Sequence, residues 1–188
     1  MEARPAATLI LLRESAEGPE VLLVKRNPEQ AFMGGAWVFP GGAVMKGEAG
    51  PEAAALRELE EEAGIAMTDP GALVPFSRWI TPEEVTVRFD TFFYIAAAPD
   101  GAEARPDGHE CVDARWLRPA AALEASKKDE LLLVFPTIKN LEPLTEFGSL
   151  EEALAAVRAQ EVTAVQPRVV VSDEGAEIFM PGEPGYES

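Results

Sequence analysis

The chain has one cysteine, Cys111, and one histidine, His109, in 188 residues. A single thiol closes no disulfide within the chain, and one histidine beside one cysteine cannot supply the four ligands of a structural zinc. Cations are scarce too: 16 Lys and Arg stand against 33 Asp and Glu, a formal net charge of −17. Such a surface repels a nucleic-acid backbone or an anionic membrane, so neither is expected as a partner. The apolar run from Ala6 to Leu12 falls far short of the ~20 residues of a membrane span, and no later run exceeds it. The basic, apolar and small-residue order of a signal peptide is also missing, which makes a cytoplasmic location the expectation.

What is present fits an ordinary globular domain. Hydrophobic residues make up 47% and charged residues 26%, and residues 1–188 are read as a single domain. Ala7 to Leu12 and Val21 to Lys25 are β-favouring runs joined by the polar stretch Glu14 to Pro19, and predict a first hairpin. Trp37 to Phe39 predicts a short strand that stops at Pro40-Gly41-Gly42. Pro51 at a first helical position, acids behind it and Gly64 as terminator predict a helix over 51–63. Strands follow at 73–80, held to a sheet edge by Pro75, at 85–97 and at 112–117, with a polar loop from Pro99 to His109. Helices are predicted over 119–125, over 130–141 with an interruption at Pro136, and over 149–160 with Ser149 and Glu152 as a capping box. Val169 to Ser172 and Ile178 to Met180 flank Asp173-Glu174-Gly175 as a second hairpin, ahead of a loosely ordered Pro- and Gly-rich tail.

Chemistry concentrates in residues 41–65, GGAVMKGEAGPEAAALRELEEEAGI. At about 100° per helical residue from Leu56, Ala63 falls at about −20° and Leu59 at about −60°, an apolar stripe. Glu61, Glu58 and Glu62 fall at about 140°, 200° and 240° on the opposite side, and Glu60 at about 40° borders the stripe. Like charges at these spacings cost roughly a few tenths of a kcal/mol per pair. A solvated acidic face tolerates that cost, whereas a hard divalent cation such as Mg²⁺ or Mn²⁺, suited to carboxylate oxygens, removes it. Arg57 can pair with Glu61 one turn on or with Glu48 in the preceding loop.

With its flanks, this string resembles the Nudix box: Gly, five residues, Glu, seven residues, then Arg-Glu-apolar-any-Glu-Glu-any-Gly-apolar. Gly42, Glu48, Arg57, Glu58, Leu59, Glu61, Glu62, Gly64 and Ile65 fill every specified position of the box at 42–65. Eight residues, Ala49 to Leu56, stand where the pattern has seven. The extra residue lies around Gly50-Pro51, ahead of the regular helix, where the loop can absorb it without rotating the carboxylates. The resemblance implies an α/β/α sandwich around a mixed sheet, with additional C-terminal helices and a hairpin over about 119–188. It also implies hydrolysis of a nucleoside-linked diphosphate by water, with Mg²⁺ or Mn²⁺ held by Glu58, Glu61, Glu62 and the Gly42 carbonyl. One of the three glutamates could also take the proton from water. Arg57 and Glu48 would act as an orienting pair. A downstream loop glutamate often assists, and Glu110 is the choice here, with Glu103 and Asp107 as rivals and His109 as a plain loop residue.

The resemblance extends to substrate. LLVKRNPEQAFMGGAWVFPGG at 22–42 is similar to the signature upstream of the box in coenzyme A diphosphatases, and RFDTFFYIA at 88–96 to the subgroup that holds the mammalian peroxisomal enzymes. Leu22, Leu23, Arg26, Gly35 and Phe39 to Gly42 match; Val24, Asn27 and Ala31 depart from the bacterial signature. CoA or acyl-CoA, cleaved to 3′,5′-ADP and phosphopantetheine or its acyl form, is the substrate class implied. ADP-ribose, NADH and nucleotide sugars are the alternatives, and a nucleotide-binding module without catalysis is the second. Arg26, Arg78, Arg88 and Phe39 are the candidate substrate contacts, and Trp79, Phe89 and Phe92 could stack on a base. Many relatives form homodimers.

Overall fold

Leu9 to Leu12 is apolar at every position because this strand is covered on both faces. The structure, a computed structural model, describes residues 2–172 and 175–186. β1 (Arg4–Arg13) runs through the middle of a mixed sheet. Along one edge it pairs in parallel with β6 (Phe89–Ala97), from Arg4 opposite Phe89 to Leu12 opposite Ala97. Beyond β6 come β5 (Val74–Ile80), antiparallel to it, and the short β8 (Ala164–Val165), parallel to β5. The other edge of β1 is shared. β4 (Gly41–Ala43) takes Ala6 to Thr8, and β2 (Glu20–Arg26) takes Leu12 and Arg13, closing the expected first hairpin. β2 then diverges to pair with β7 (Cys111–Leu117) and β3 (Trp37–Val38). A fork therefore opens between β4 and β2.

Ala7, Leu9 and Leu11 of β1 pack under α1 (Pro51–Ala63), together with Leu22, Val24 and Tyr94. Ile10 and Leu12 point the other way, toward α2 (Pro119–Lys127), α3 (Phe135–Leu144) and α4 (Leu150–Ala159). Helices on both faces of a mixed sheet make the α/β/α sandwich that the box implied. β9 (Arg168–Ser172) and β10 (Gly175–Phe179) add the C-terminal hairpin. Each fully buried leucine or isoleucine contributes ~1.5–3 kcal/mol, so the sheet centre dominates the stability. Among the described residues, no helix is long and apolar enough to cross a membrane.

Several boundaries differ from the sequence reading. The strand predicted from Val85 begins at Phe89, because residues 82–87 turn and Thr81 closes the hairpin by donating its N–H to the Phe89 carbonyl at 2.9 Å. The helix predicted over 130–141 starts only at Phe135. Pro136 sits in its first turn, where no helical partner is lost, so it opens the helix and does not interrupt it. Glu130 and Leu131 instead bend back, each donating its N–H to the Ala125 carbonyl, and Leu133 bridges to Trp37. Pro75 lies at a bulge of β5, beyond the reach of β8, where its missing N–H breaks no ladder. Ser149 caps α4 by accepting the Glu152 N–H, while Glu152 reaches back to the Gly148 N–H. Of the C-terminal strands, the first begins one residue before the prediction and ends at Ser172 as predicted, the second begins three residues earlier and ends one earlier, and Asp173 and Glu174 of the predicted turn lie outside the described residues. The tail is fastened: Arg168 donates to the Tyr186 carbonyl and the Tyr186 hydroxyl to the Gln166 carbonyl, both at 2.9 Å.

Candidate active site

Gly50 stands at φ 154° and ψ −175°, a conformation open only to glycine, and α1 starts at Pro51 immediately after it. Glu48 is thereby kept within reach of Arg57, its Oε1 2.7 Å from Nε. Arg57 also donates to Glu58 at 2.7 Å, to Glu61 at 2.8 Å and to the Ala43 carbonyl at 3.1 Å. Both pairings foreseen for Arg57 therefore occur together. The hydrogen bond from Arg57, then the Met45 N–H, hold the Glu48 carboxyl below its ordinary range. The Glu48 bond, with those to Glu58 and Glu61, keeps the guanidinium firmly protonated against its partial burial.

The three box carboxylates do not share a solvent face. Glu58 and Glu62 are buried beside Ala54, Ala55, Leu59 and Ala63, and only Glu61 and Glu60 face water. The buried arc of α1 is wider than the apolar stripe because alanines at 54 and 55 allow the helix close to β4 and β1. Gly42 completes this approach: a methyl group there would collide with the Glu58 carboxyl. Burial raises the Glu58 carboxyl, opposed by Arg57. It lifts the Glu62 carboxyl further, to about 7, against the Gly41 N–H that favours the charged form.

Three strand ends converge on Glu62 at the fork. Gly41 of β4 donates its N–H at 2.9 Å, Arg26 of β2 lies 3.9 Å away, and the buried Cys111 of β7 turns its thiol toward the carboxyl. A bulge between Lys25 and Arg26 aims Arg26 into the fork. Its guanidinium is further held by Gln30 and the Phe32 carbonyl. Glu110 is exposed on the loop before β7 and lines, with Glu61, Glu62 and Asp107, a cleft of about 390 Å³. Its charge also acts on Glu58. Asp107 shapes that loop by accepting the N–H groups of His109, Glu110 and Cys111 at 2.9–3.1 Å. Those bonds outweigh its partial desolvation and hold its carboxyl low. Asn27 ties the same loop to β2 through the His109 and Glu110 backbones. Of the rivals, Glu103 is exposed, pairs with Arg105 and lines neither cleft.

A larger cavity, of about 620 Å³, begins at Gly42, Glu58, Glu62 and Glu110 and continues over the sheet. Of the candidate substrate contacts, Arg26, Phe39, Trp79 and Phe89 line it. Arg78 and Phe92 do not. They are register partners on the opposite sheet face, where Arg78 stacks on Phe92 and pairs with Asp90 at 2.6 and 2.8 Å. Arg88 lines neither cleft and donates Nε to the Thr81 carbonyl. Arg4 was missed: it lines the cavity with its guanidinium 4.9 Å from the Phe89 ring centre. No local motif marks Arg4, because the pairing of β1 with β6 places it there. Among the described residues no three acidic, histidine or cysteine groups are assembled to hold a metal, since Arg57 takes Glu58 and Glu61 while Gly41 and Arg26 take Glu62.

Known proteins match this chain along most of its length. The family model described as NUDIX domain covers residues 2–136. A human acyl-coenzyme A diphosphatase is 27% identical over 123 residues, which is 63% of this chain and 33% of that protein. A putative nudix hydrolase of Caenorhabditis elegans is 26% identical over 181 residues, 76% of this chain and 61% of that one. The chain thus spans 33% and 61% of the length of these two relatives. The crystal structure of a NUDIX hydrolase from Alicyclobacillus acidocaldarius superposes with a TM-score of 0.77 at 25% identity, covering 86% of this chain and 99% of the other. A complete box on the helix that closes the fork, in a fold shared over this extent, is accounted for by descent: the chain belongs to the Nudix family.

Proposed function

We propose that this chain hydrolyses the diphosphate linkage of a nucleoside-diphosphate compound and that CoA or an acyl-CoA is its substrate. The observation that carries this reading is the continuity of one cavity from the Glu58, Glu62 and Glu110 carboxyls into a long, mainly apolar space. A diphosphate suits the first end and a pantetheine arm the second. Similarity to a human acyl-coenzyme A diphosphatase supports the same class.

Glu58, Glu61, Glu62 and the Gly42 carbonyl would hold Mg²⁺ or Mn²⁺. They fit a hard cation by their chemistry: every donor is oxygen, and two of the carboxyls are buried and reluctant to ionise unaided. Such a cation neutralises the diphosphate and lowers the pKa of water. Arg57 and Glu48 orient the carboxylates, and Arg26 and Arg4 take phosphate oxygens. As the water oxygen bonds to one phosphorus and the bridging oxygen departs with the other, Glu110 accepts the proton. A screen with Mg²⁺ and Mn²⁺ over CoA, acetyl-CoA, ADP-ribose, NADH and nucleotide sugars, read by product mass, tests the reading. Release of 3′,5′-ADP from CoA or acetyl-CoA is expected. Cleavage of ADP-ribose or NADH alone replaces the substrate class, and no cleavage with either ion favours a non-catalytic nucleotide binder.

A further inference from the structure

The family match ends at residue 136, but the cavity does not. Pro167, Val169 of β9 and Ile178 of β10 line it together with Val85 and Val87 of the β5–β6 loop. Hairpin and loop are tied to each other: the Glu84 carboxylate accepts the Val169 N–H at 3.4 Å and lies 3.9 Å from the Arg168 guanidinium. From Gly42 on β4, the sheet runs through β1 and β6 to Trp79 on β5. Three strand spacings amount to about 14 Å. The hairpin and the loop therefore stand at the end remote from the carboxylates.

Apolar exposure is concentrated around this cavity. Of the eight exposed large hydrophobic residues among those described, Phe32, Met33, Val85, Val87 and Ile178 line it. A patch of this kind marks a surface built to be covered, and its continuity with the carboxylate cluster says that one molecule spans both. We infer that the C-terminal hairpin and the β5–β6 loop form a subsite for an apolar chain carried by the diphosphate substrate, and that Val85, Val87, Val169 and Ile178 select a long acyl substituent over a short one. The inference rests on the activity proposed above and assigns part of its selectivity, through Val169 and Ile178, to chain lying outside the matched family domain. Each methylene buried there should strengthen binding about threefold to fourfold.

Two measurements on the full chain test it. In EDTA, calorimetry compares dodecyl phosphate, below its micelle-forming concentration, with butyl phosphate. With Mg²⁺, KM is compared for acetyl-, octanoyl- and palmitoyl-CoA. The wild type should bind dodecyl phosphate more than about tenfold tighter than butyl phosphate, and its KM should fall with chain length. Ile178→Asp and Val87→Asp should each remove most of both dependences. These residues are 41% and 42% exposed on separate elements, so neither change opens the core. Equal affinity for the two phosphates, or variants that retain the wild-type ratio, overturns the inference. Tail-dependent binding without hydrolysis of any CoA thioester keeps the subsite and removes the CoA reading; hydrolysis without chain-length dependence does the reverse.

Discussion

Glu62→Gln should stabilise the protein at about pH 8 in EDTA and change little near pH 4.5, where the ordinary carboxyl titrates. Glu62 is 2% exposed, and burial moves its carboxyl from the usual 4.5 to about 7. A raised folded-state pKa means that the folded protein holds this proton more tightly than the unfolded chain does. The stability so gained is complete below about pH 4.5, declines as pH rises and is gone above about pH 7, where the folded state must carry a buried charge. At 1.36 kcal/mol per pH unit the loss is about 3 kcal/mol. A glutamine keeps an oxygen for the Gly41 N–H and never ionises, so the variant escapes the loss. For a chain of this length that is roughly 6–12 °C in Tm. Thermal unfolding followed by circular dichroism in EDTA, from about pH 4.5 to about pH 8, should show the two proteins converging at the acid end. Mg²⁺ at the alkaline end should then raise the Tm of the wild type and reverse the order. A variant less stable than the wild type at about pH 8 in EDTA would refute the reasoning, and a difference independent of pH would remove burial as its cause.

Gly42→Ala puts a methyl group into the Glu58 carboxyl; it should cost about 1–3 kcal/mol in urea unfolding and lower kcat at least about tenfold, and a wild-type rate would show that Glu58 need not sit there. Arg57→Lys leaves one ammonium where a fork held Glu48, Glu58, Glu61 and the Ala43 carbonyl; turnover should fall about 10–100-fold, and an unchanged rate would make that network dispensable. Glu110→Gln should lower kcat about 10²–10⁴-fold with little change in KM, and an unchanged kcat would move the base to another group. Arg78→Gln should leave both constants within about twofold and cost at most about 1 kcal/mol of stability, since Arg78 lies on the far face of the sheet; a raised KM would contradict that placement.

The residues legible in the sequence are those whose neighbours are local. The α1 helix, its limits and the Arg57 pairings follow from proline, glycine and one-turn spacings within fifteen or so residues of each other. The α/β/α arrangement was implied by the resemblance of the box, and the apolar run Leu9 to Leu12, covered on both faces of the sheet, agrees with it. Pro136 was misread because proline has the same letter at a helix start and at a break, and its neighbours decide which. Arg78 and Trp79 cannot both face the cavity, because adjacent strand residues point to opposite faces, and a bulge between Pro75 and Ser77 sets Phe76 beside Trp79 on one face with Arg78 on the other.

By itself, the sequence determined the box helix and the carboxylates available for chemistry, because these depend on composition and on contacts within a few turns, while the fold class came with the resemblance that the box carries. Only the tertiary structure decided that Glu58 and Glu62 are buried while Glu61 is not, since two alanines count as apolar or neutral until a sheet is packed against them. It alone brought Arg4 to Phe89, Glu110 to the box and the C-terminal hairpin to the cavity wall. Those positions are distant along the chain, and strand register rather than local preference sets which side chains meet.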